Sequence, residues 1–231
     1  MKYKIIGKEF FNLFFPNCCP VCDAKLLPEE EGVCLKCLFK LPRTNNFKEN
    51  ENTVETRMAG RFPFQRIATF CIYNKGGMLP PLIHQLKYNN NKEIGILLGK
   101  IYGKDILNSD FTSGIDYIVP VPLHPKKQKR RGYNQAEMIA RGLSESTKIS
   151  ISTDNLFRPI FNPTQTKRTK AQRWENVKGI FELREPQKYA AKHILLVDDV
   201  ITTGSTIEAC CSALLAAAEV KISVAALGEV L

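Results

Sequence analysis

The chain has no uninterrupted apolar run of the roughly 20 residues needed to cross a bilayer, so no membrane span is expected. Its start, Met1 to Phe15, is apolar in places. Lys8 and Glu9 break that stretch, however, and no small-residue cleavage site follows. A short amphipathic helix docked on the protein or on a partner is expected there rather than a signal peptide, and the chain is expected in the cytoplasm. A reducing compartment excludes structural disulfides, which leaves eight cysteines needing another explanation. The sequence has no internal repeat. It also lacks a P-loop: Gly95-Ile-Leu-Leu-Gly99-Lys100 is one residue short of that motif, and Ile101 stands where a hydroxyl should bind Mg²⁺. This segment reads as the middle of a helix. Tryptophan occurs once, at Trp174, as a stacking platform or as packing.

Acidic residues are in short supply: 23 Asp and Glu against 33 Lys and Arg give a net charge of +10. Such an excess favours anionic partners, namely phosphorylated small molecules, nucleic acid or an anionic surface. The charge is concentrated in two runs, Lys126-Lys-Gln-Lys-Arg-Arg131 and Lys167-Arg-Thr-Lys-Ala-Gln-Arg173. With 231 residues, 44% of them hydrophobic and 24% charged, the chain has the make-up of a soluble globular protein. Its length suits one substantial domain and a small appendage.

Three stretches follow from the patterning. Residues 1–43 hold the amphipathic start and four paired cysteines; residues 44–65 are polar and Asn-rich, as in a linker; residues 66–231 alternate strand and helix patterns. Strands are expected at Ile67–Tyr73, Asp116–Pro122, His193–Val197 and Val220–Leu227. Helices are expected at Met78–Tyr88, Glu93–Leu107, Gly132–Thr147 and Ser205–Ala218. That alternation implies an α/β fold with a mostly parallel sheet covered by helices on both faces.

The block Ile194-Leu-Leu-Val-Asp-Asp-Val-Ile-Thr-Thr-Gly-Ser-Thr206 carries the chemistry. An apolar strand delivers Asp198 and Asp199 to its end, where open α/β sheets bind ligands. The turn Thr202, Thr203, Gly204, Ser205, Thr206 then opens a helix. Gly204 admits close backbone approach, the first helical amides face outward unpaired, and the hydroxyls donate. A phosphate monoester is expected in the turn. The two carboxylates suit vicinal hydroxyls or the organisation of Mg²⁺, and together these features fit a ribose 5-phosphate.

A second strand-to-helix junction is expected as a basic loop: Val121, Pro122, Leu123, His124, Lys126, Arg130, Arg131 and Asn134 stand where positive charge and free amides suit a pyrophosphate. Residues 161–181 read as a lid over the site, with Arg173 and Asn176 in it. Cys19-x-x-Cys22 and Cys34-x-x-Cys37 form two knuckles whose four thiolates suit a structural tetrahedral Zn²⁺. Cys18 is an alternative ligand to Cys19. Such a finger either binds nucleic acid or clamps the N-terminus onto the larger domain.

The Asp198–Thr206 block matches the signature of type I phosphoribosyltransferases. The ordered set of Cys pairs, His84-Gln-Leu-Lys87-Tyr88, Val119-Pro-Val-Pro122, Arg131-Gly-Tyr-Asn-Gln135, Gln172-Arg173, Asn176-Val177 and Val197–Gly204 resembles the ComF family. The resemblance implies a phosphoribosyltransferase fold and a link to natural transformation. It implies that the acids bind ribose hydroxyls and the turn binds the 5′-phosphate of phosphoribosyl pyrophosphate (PRPP), held with Mg²⁺. On this reading Asp198, Asp199 and Arg131 matter most for catalysis, by positioning the substrate and stabilising the departing pyrophosphate. The rival expectation is a non-catalytic module that binds a ribosyl phosphate or nucleotide and holds single-stranded DNA on its basic surface and finger. Competence or DNA-processing proteins are the expected protein partners.

Overall fold

A computed structural model describes residues 17–107, 109–159 and 180–230. The expected N-terminal helix, and residues 161–179 of the expected lid with Arg173, Trp174 and Asn176, lie outside the described residues.

Five strands form one parallel sheet: β1 (Ile67–Ile72), β2 (Tyr117–Pro120), β3 (Ser150–Ile151), β6 (His193–Ile201) and β7 (Lys221–Glu229), in the order β1-β7-β6-β2-β3. A separate antiparallel pair, β4 (Leu156–Phe157) with β5 (Glu182–Leu183), was not legible in the sequence, because two-residue strands carry no periodicity. The central strands are buried on both faces, as a parallel sheet requires. Along β6, Leu195 and Val197 join one core while Ile194 and Leu196 join the other.

The first core is roofed by helices α3 (Leu79–Tyr88), α4 (Lys92–Leu107) and α6 (Gln135–Thr147). The second is covered by α2 (Thr53–Met58), α7 (Ser205–Leu214) and the β4–β5 pair. The P-loop look-alike is indeed mid-helix. Its Gly99 faces α6, where a Cβ would run into the Ile139 carbonyl, and Gly142 on α6 has the same relation to Ile96. The glycines therefore set a close helix crossing and bind no phosphate.

Residues 44–65, expected as a linker, are folded onto the sheet. Asn52 caps α2 through a capping box with Glu55, and its amide donates to the Asn46 and Ile67 carbonyls at 3.1 and 2.9 Å. Glu55 also accepts from Arg66 Nε at 2.9 Å and the Ile67 amide at 2.8 Å. Buried Asn46 reaches Thr69 and Glu229 in the sheet. Satisfied side chains of this kind look like a polar loop in one dimension, because their partners lie far along the chain.

The cysteine module, with its short helix α1 (Leu35–Lys40), packs on the same body. Cys19, Val33, Cys34, Cys37 and Leu41 belong to the first core, and Arg43 pairs through both carboxylate oxygens with Asp105 of α4.

Candidate functional site

The sheet's topology locates the site. From β2 the chain continues to β3 on one side; from β6 it continues to β7 on the other. β2 and β6 are neighbours, so the chain leaves their carboxyl ends in opposite directions, the kind of switch point at which open α/β sheets bind ligands. The amide of Val121 still donates to the Val197 carbonyl at 2.8 Å, which sets the two loops side by side.

β6 runs beyond Val197 to Ile201, so the two acids lie within the strand, not just past its end. The cause is pairing with β7, which extends through Val200↔Gly228 and Ile201↔Glu229. Adjacent strand residues point to opposite faces, and the acids do so. Asp199 turns to α3, where Lys87 Nζ lies 2.8 Å from its Oδ1. Asp198 lies on the face of α7. Its Oδ1 accepts from the Asp199 amide at 2.8 Å. Burial, then the neighbouring Asp199 charge, push the Asp198 carboxyl up to about 7, against the pull of that amide and of Lys87. The pair is thus unequal: one acid is ion-paired, the other desolvated.

The turn expected to hold a phosphate is built as an open cradle. Thr202, Thr203, Ser205 and Thr206 are exposed, while Gly204 is buried with φ +78°. The Thr203 and Ser205 hydroxyls lie 3.1 Å apart, and Gly204 directly precedes α7. A Cβ on Gly204 would sit 2.5 Å from Met58 Sδ in a left-handed backbone conformation, so any other residue here would be strained and would have to displace the Met58 side chain.

On the β2 side the basic run is not a loop. Pro125–Arg131 form helix α5, capped by His124, whose Nδ1 accepts from the Lys126 amide at 3.2 Å. Proline at its first position and glycine after its end punctuate it. Lys126, Lys127, Lys129 and Arg130 are exposed. Arg131 stacks its guanidinium 5.6 Å from the Tyr88 ring centroid. Asn134 is buried, and its side chain is spent on the Val121 carbonyl at 2.9 Å and on capping α6. It braces the loop and does not present itself to a ligand. Tyr133 likewise donates to the Leu86 carbonyl at 2.6 Å, joining this motif to the helix that bears Lys87. Buried Gln135 Nε2 has no partner among the described residues.

The site has two contributors that sequence reasoning missed. Lys87 stood inside a quoted motif, yet nothing in one dimension tied it to Asp199. Arg61, in the supposed linker, donates to the Thr203 carbonyl and to Glu208. Beside the acids, a cleft of about 510 Å³ is lined by Tyr73, His84, Lys87 and Tyr88 among others.

The four expected metal ligands converge: the sulfurs of Cys19, Cys22, Cys34 and Cys37 all lie within 4.8 Å of one another. Cys22 and Cys34 are 3.7 Å apart, close to the roughly 3.8 Å edge of a tetrahedron with 2.3 Å metal–sulfur bonds. Burial opposes charge on Cys19, but amide hydrogen bonds from Cys34, Val21 and Cys22 outweigh it and bring the thiol down to about 7. The cluster fits a metal such as zinc. Cys18 is exposed and outside it.

Residues 87–228, more than half of the chain, match the family described as the phosphoribosyl transferase domain. The DNA utilization protein YhgH of Escherichia coli (strain K12) is 34% identical over 148 residues, 63% of each chain, so the match spans under two thirds of that relative. Competence protein F of Haemophilus influenzae is 32% identical over 130 residues, 54% of this chain and 57% of that one. Competence protein ComFC of Bacillus subtilis is 25% identical over 222 residues, 82% of this chain and 85% of that one. The acid pair, the hydroxyl-rich turn, the parallel sheet and the cysteine cluster agree with these likenesses, and the chain belongs to the phosphoribosyl transferase domain family, with the ComF-type proteins.

Proposed function

We propose that the chain binds PRPP in the crevice between β2 and β6 and transfers its phosphoribosyl group to a nitrogen acceptor. In this reading the 5′-phosphate lies in the Thr202–Thr206 turn and the ribose hydroxyls bond to Asp198 and Asp199. The pyrophosphate faces the Val121–His124 loop, with Arg131 and Lys126 stabilising its departure. The observation that carries the reading is the divergence of those two loops at neighbouring strands, with an open hydroxyl-rich turn on one and clustered positive charge on the other. Displacement at the anomeric carbon develops charge on the ribose and on the leaving group, so positioning and electrostatics do the work. Neither carboxylate needs to act as a base. Asp199 already holds Lys87 at 2.8 Å, so Mg²⁺ would be held mainly by the pyrophosphate's own oxygens. The cleft against Lys87 leaves room for an acceptor.

The cysteine cluster is proposed as a structural Zn²⁺ site, since protein thiolates fill all four positions. The names of the relatives point to DNA utilization and competence, and by likeness the chain is proposed to serve DNA uptake in the cytoplasm with competence or DNA-processing proteins. Exposed α5, with Lys126, Lys127, Lys129 and Arg130, favours a second reading: a surface for single-stranded DNA beside the sugar-phosphate site. No helix of the described residues is long and apolar enough to cross a membrane.

Calorimetry with PRPP and Mg²⁺ tests the first reading. The wild type should bind, and the Asp198→Asn/Asp199→Asn variant should lose at least about tenfold in affinity, 1.4 kcal/mol. Equal affinity would refute the site. The same variant should keep DNA binding, which should weaken steeply with salt if phosphates dominate it.

A further inference from the structure

Arg61 lies outside the matched family domain, which begins at residue 87, yet it touches the turn expected to hold the phosphate. Its Nη1 donates to the Thr203 carbonyl. Its Nε and Nη2 grip Glu208 Oε2 at 3.1 and 2.5 Å. Its stem emerges just past α2, whose Met58 fills the space below Gly204. The capping box of Asn52 and Glu55, and the bonds of Glu55 to Arg66 and Ile67, hold α2 against β1. Arg61 is therefore delivered to the turn by a fixed support.

The chemistry gives this contact a purpose. Glu208 stands in the first turn of α7. A carboxylate there suits the helix dipole but repels an anion entering the same helix start. A carbonyl turned toward the phosphate at Thr203 would repel it too. One guanidinium fork meets both threats: it neutralises the acid and ties the carbonyl back, so that amides and hydroxyls, not oxygens, face the ligand.

We infer that Arg61 is a positioning residue for phosphate recognition, which neutralises Glu208 and fixes Thr203 so that the turn accepts a dianionic sugar phosphate. The inference rests on the reading that this turn binds the 5′-phosphate, and it makes the segment before the matched domain part of the site.

The test is calorimetry of the full chain with ribose 5-phosphate and with Mg²⁺–PRPP. Arg61→Ala should weaken both by about tenfold or more. Glu208→Gln should bind at least as well as wild type, and Arg61→Ala/Glu208→Gln should recover most of the loss, since the uncompensated carboxylate is then gone. Arg61→Lys should fall between, because an ammonium lacks the fork. A purely structural brace would not be rescued by Glu208→Gln, so failure of the double variant to recover overturns the inference. Wild-type affinity in Arg61→Ala overturns it as well. Where Arg61→Ala does not fold, a wild-type affinity in Arg61→Lys/Glu208→Gln supports the inference, and a tenfold loss there refutes it. A wild type that binds neither ligand refutes the PRPP reading itself, whereas binding by the wild type with no change in the variants refutes the role of Arg61 alone.

Discussion

Lys87 Nζ lies 2.8 Å from Asp199 Oδ1, so the helix after the first strand supplies a cation to the acid pair on the sixth. The contact spans the sheet's carboxyl edge and gives Asp199 a cationic partner that Asp198 does not have among the described residues. Both side chains are mostly shielded, at 26% and 14% exposure. Lys87→Met should therefore cost about 1–3 kcal/mol, less than a fully buried pair, because it leaves Asp199 beside Asp198 without a counter-charge. Chemical denaturation at neutral pH checks the loss.

The raised carboxyl of Asp198 gives a signed pH dependence. The folded state holds this proton up to about pH 7, whereas the unfolded chain releases it near 3.8. Between those values the folded state binds more protons, so this group's contribution to stability falls as pH rises through the window. Asp198→Asn should accordingly stabilise the protein at pH 8, by on the order of 1–2 kcal/mol, and by far less at pH 5. Affinity for PRPP should move oppositely in the wild type, rising from pH 6 to pH 8 as the carboxylate becomes available. Denaturation and calorimetry across that range check both slopes.

Gly204→Ala places a methyl in a left-handed conformation and against Met58 Sδ. The expected cost is about 1–3 kcal/mol, together with loss of PRPP binding. Met58→Ala on that background should relieve the clash but not the backbone strain. Recovery of stability without full recovery of binding, measured by thermal melts and calorimetry, is the expected outcome.

One zinc per chain should be found by elemental analysis, and Cys37→Ser should remove it. Cys19, Cys34 and Cys37 share a core with Leu82, Leu86 and Ile94 of the sheet domain. Metal loss should thus lower the melting temperature of the main transition, not only release a separate early one.

Asn134→Ala removes a hydrogen bond to the Val121 carbonyl and the cap of α6. A stability loss of about 1–2 kcal/mol is expected. Loosening of the adjacent loop should also weaken PRPP binding, and hydrogen exchange at Val121 to Lys126 should report it.

Local chemistry made part of this protein legible in one dimension. The Ile194–Val197 run, the turn around Gly204 and the cysteine pairs could be read because each is a short contiguous block whose residue types answer to one physical demand: burial, positive φ, or thiolate convergence. The parallel sheet and its helices followed from alternation of apolar periods. What failed did so for two reasons: helix signals hidden in a run of charge, and polar side chains whose partners lie far along the chain. The basic run 126–131 became a helix, because Pro125 and Gly132 bound it and His124 caps it. The polar stretch 44–65 became a wall of the core, because Asn46, Asn52 and Glu55 find partners at Thr69, Ile67 and Glu229.

The sequence by itself determined the elements of the phosphate turn, the acid pair and the metal knuckles, since those depend on residues adjacent in the chain. Only the tertiary structure decided that Lys87 meets Asp199, that Arg61 meets Thr203 and Glu208, and that the two acids face opposite sides of the sheet. Those relations depend on strand order and register: the pairing of β1 with β7 and the two side-chain contacts each join residues more than a hundred positions apart, for which no local pattern carries a signal.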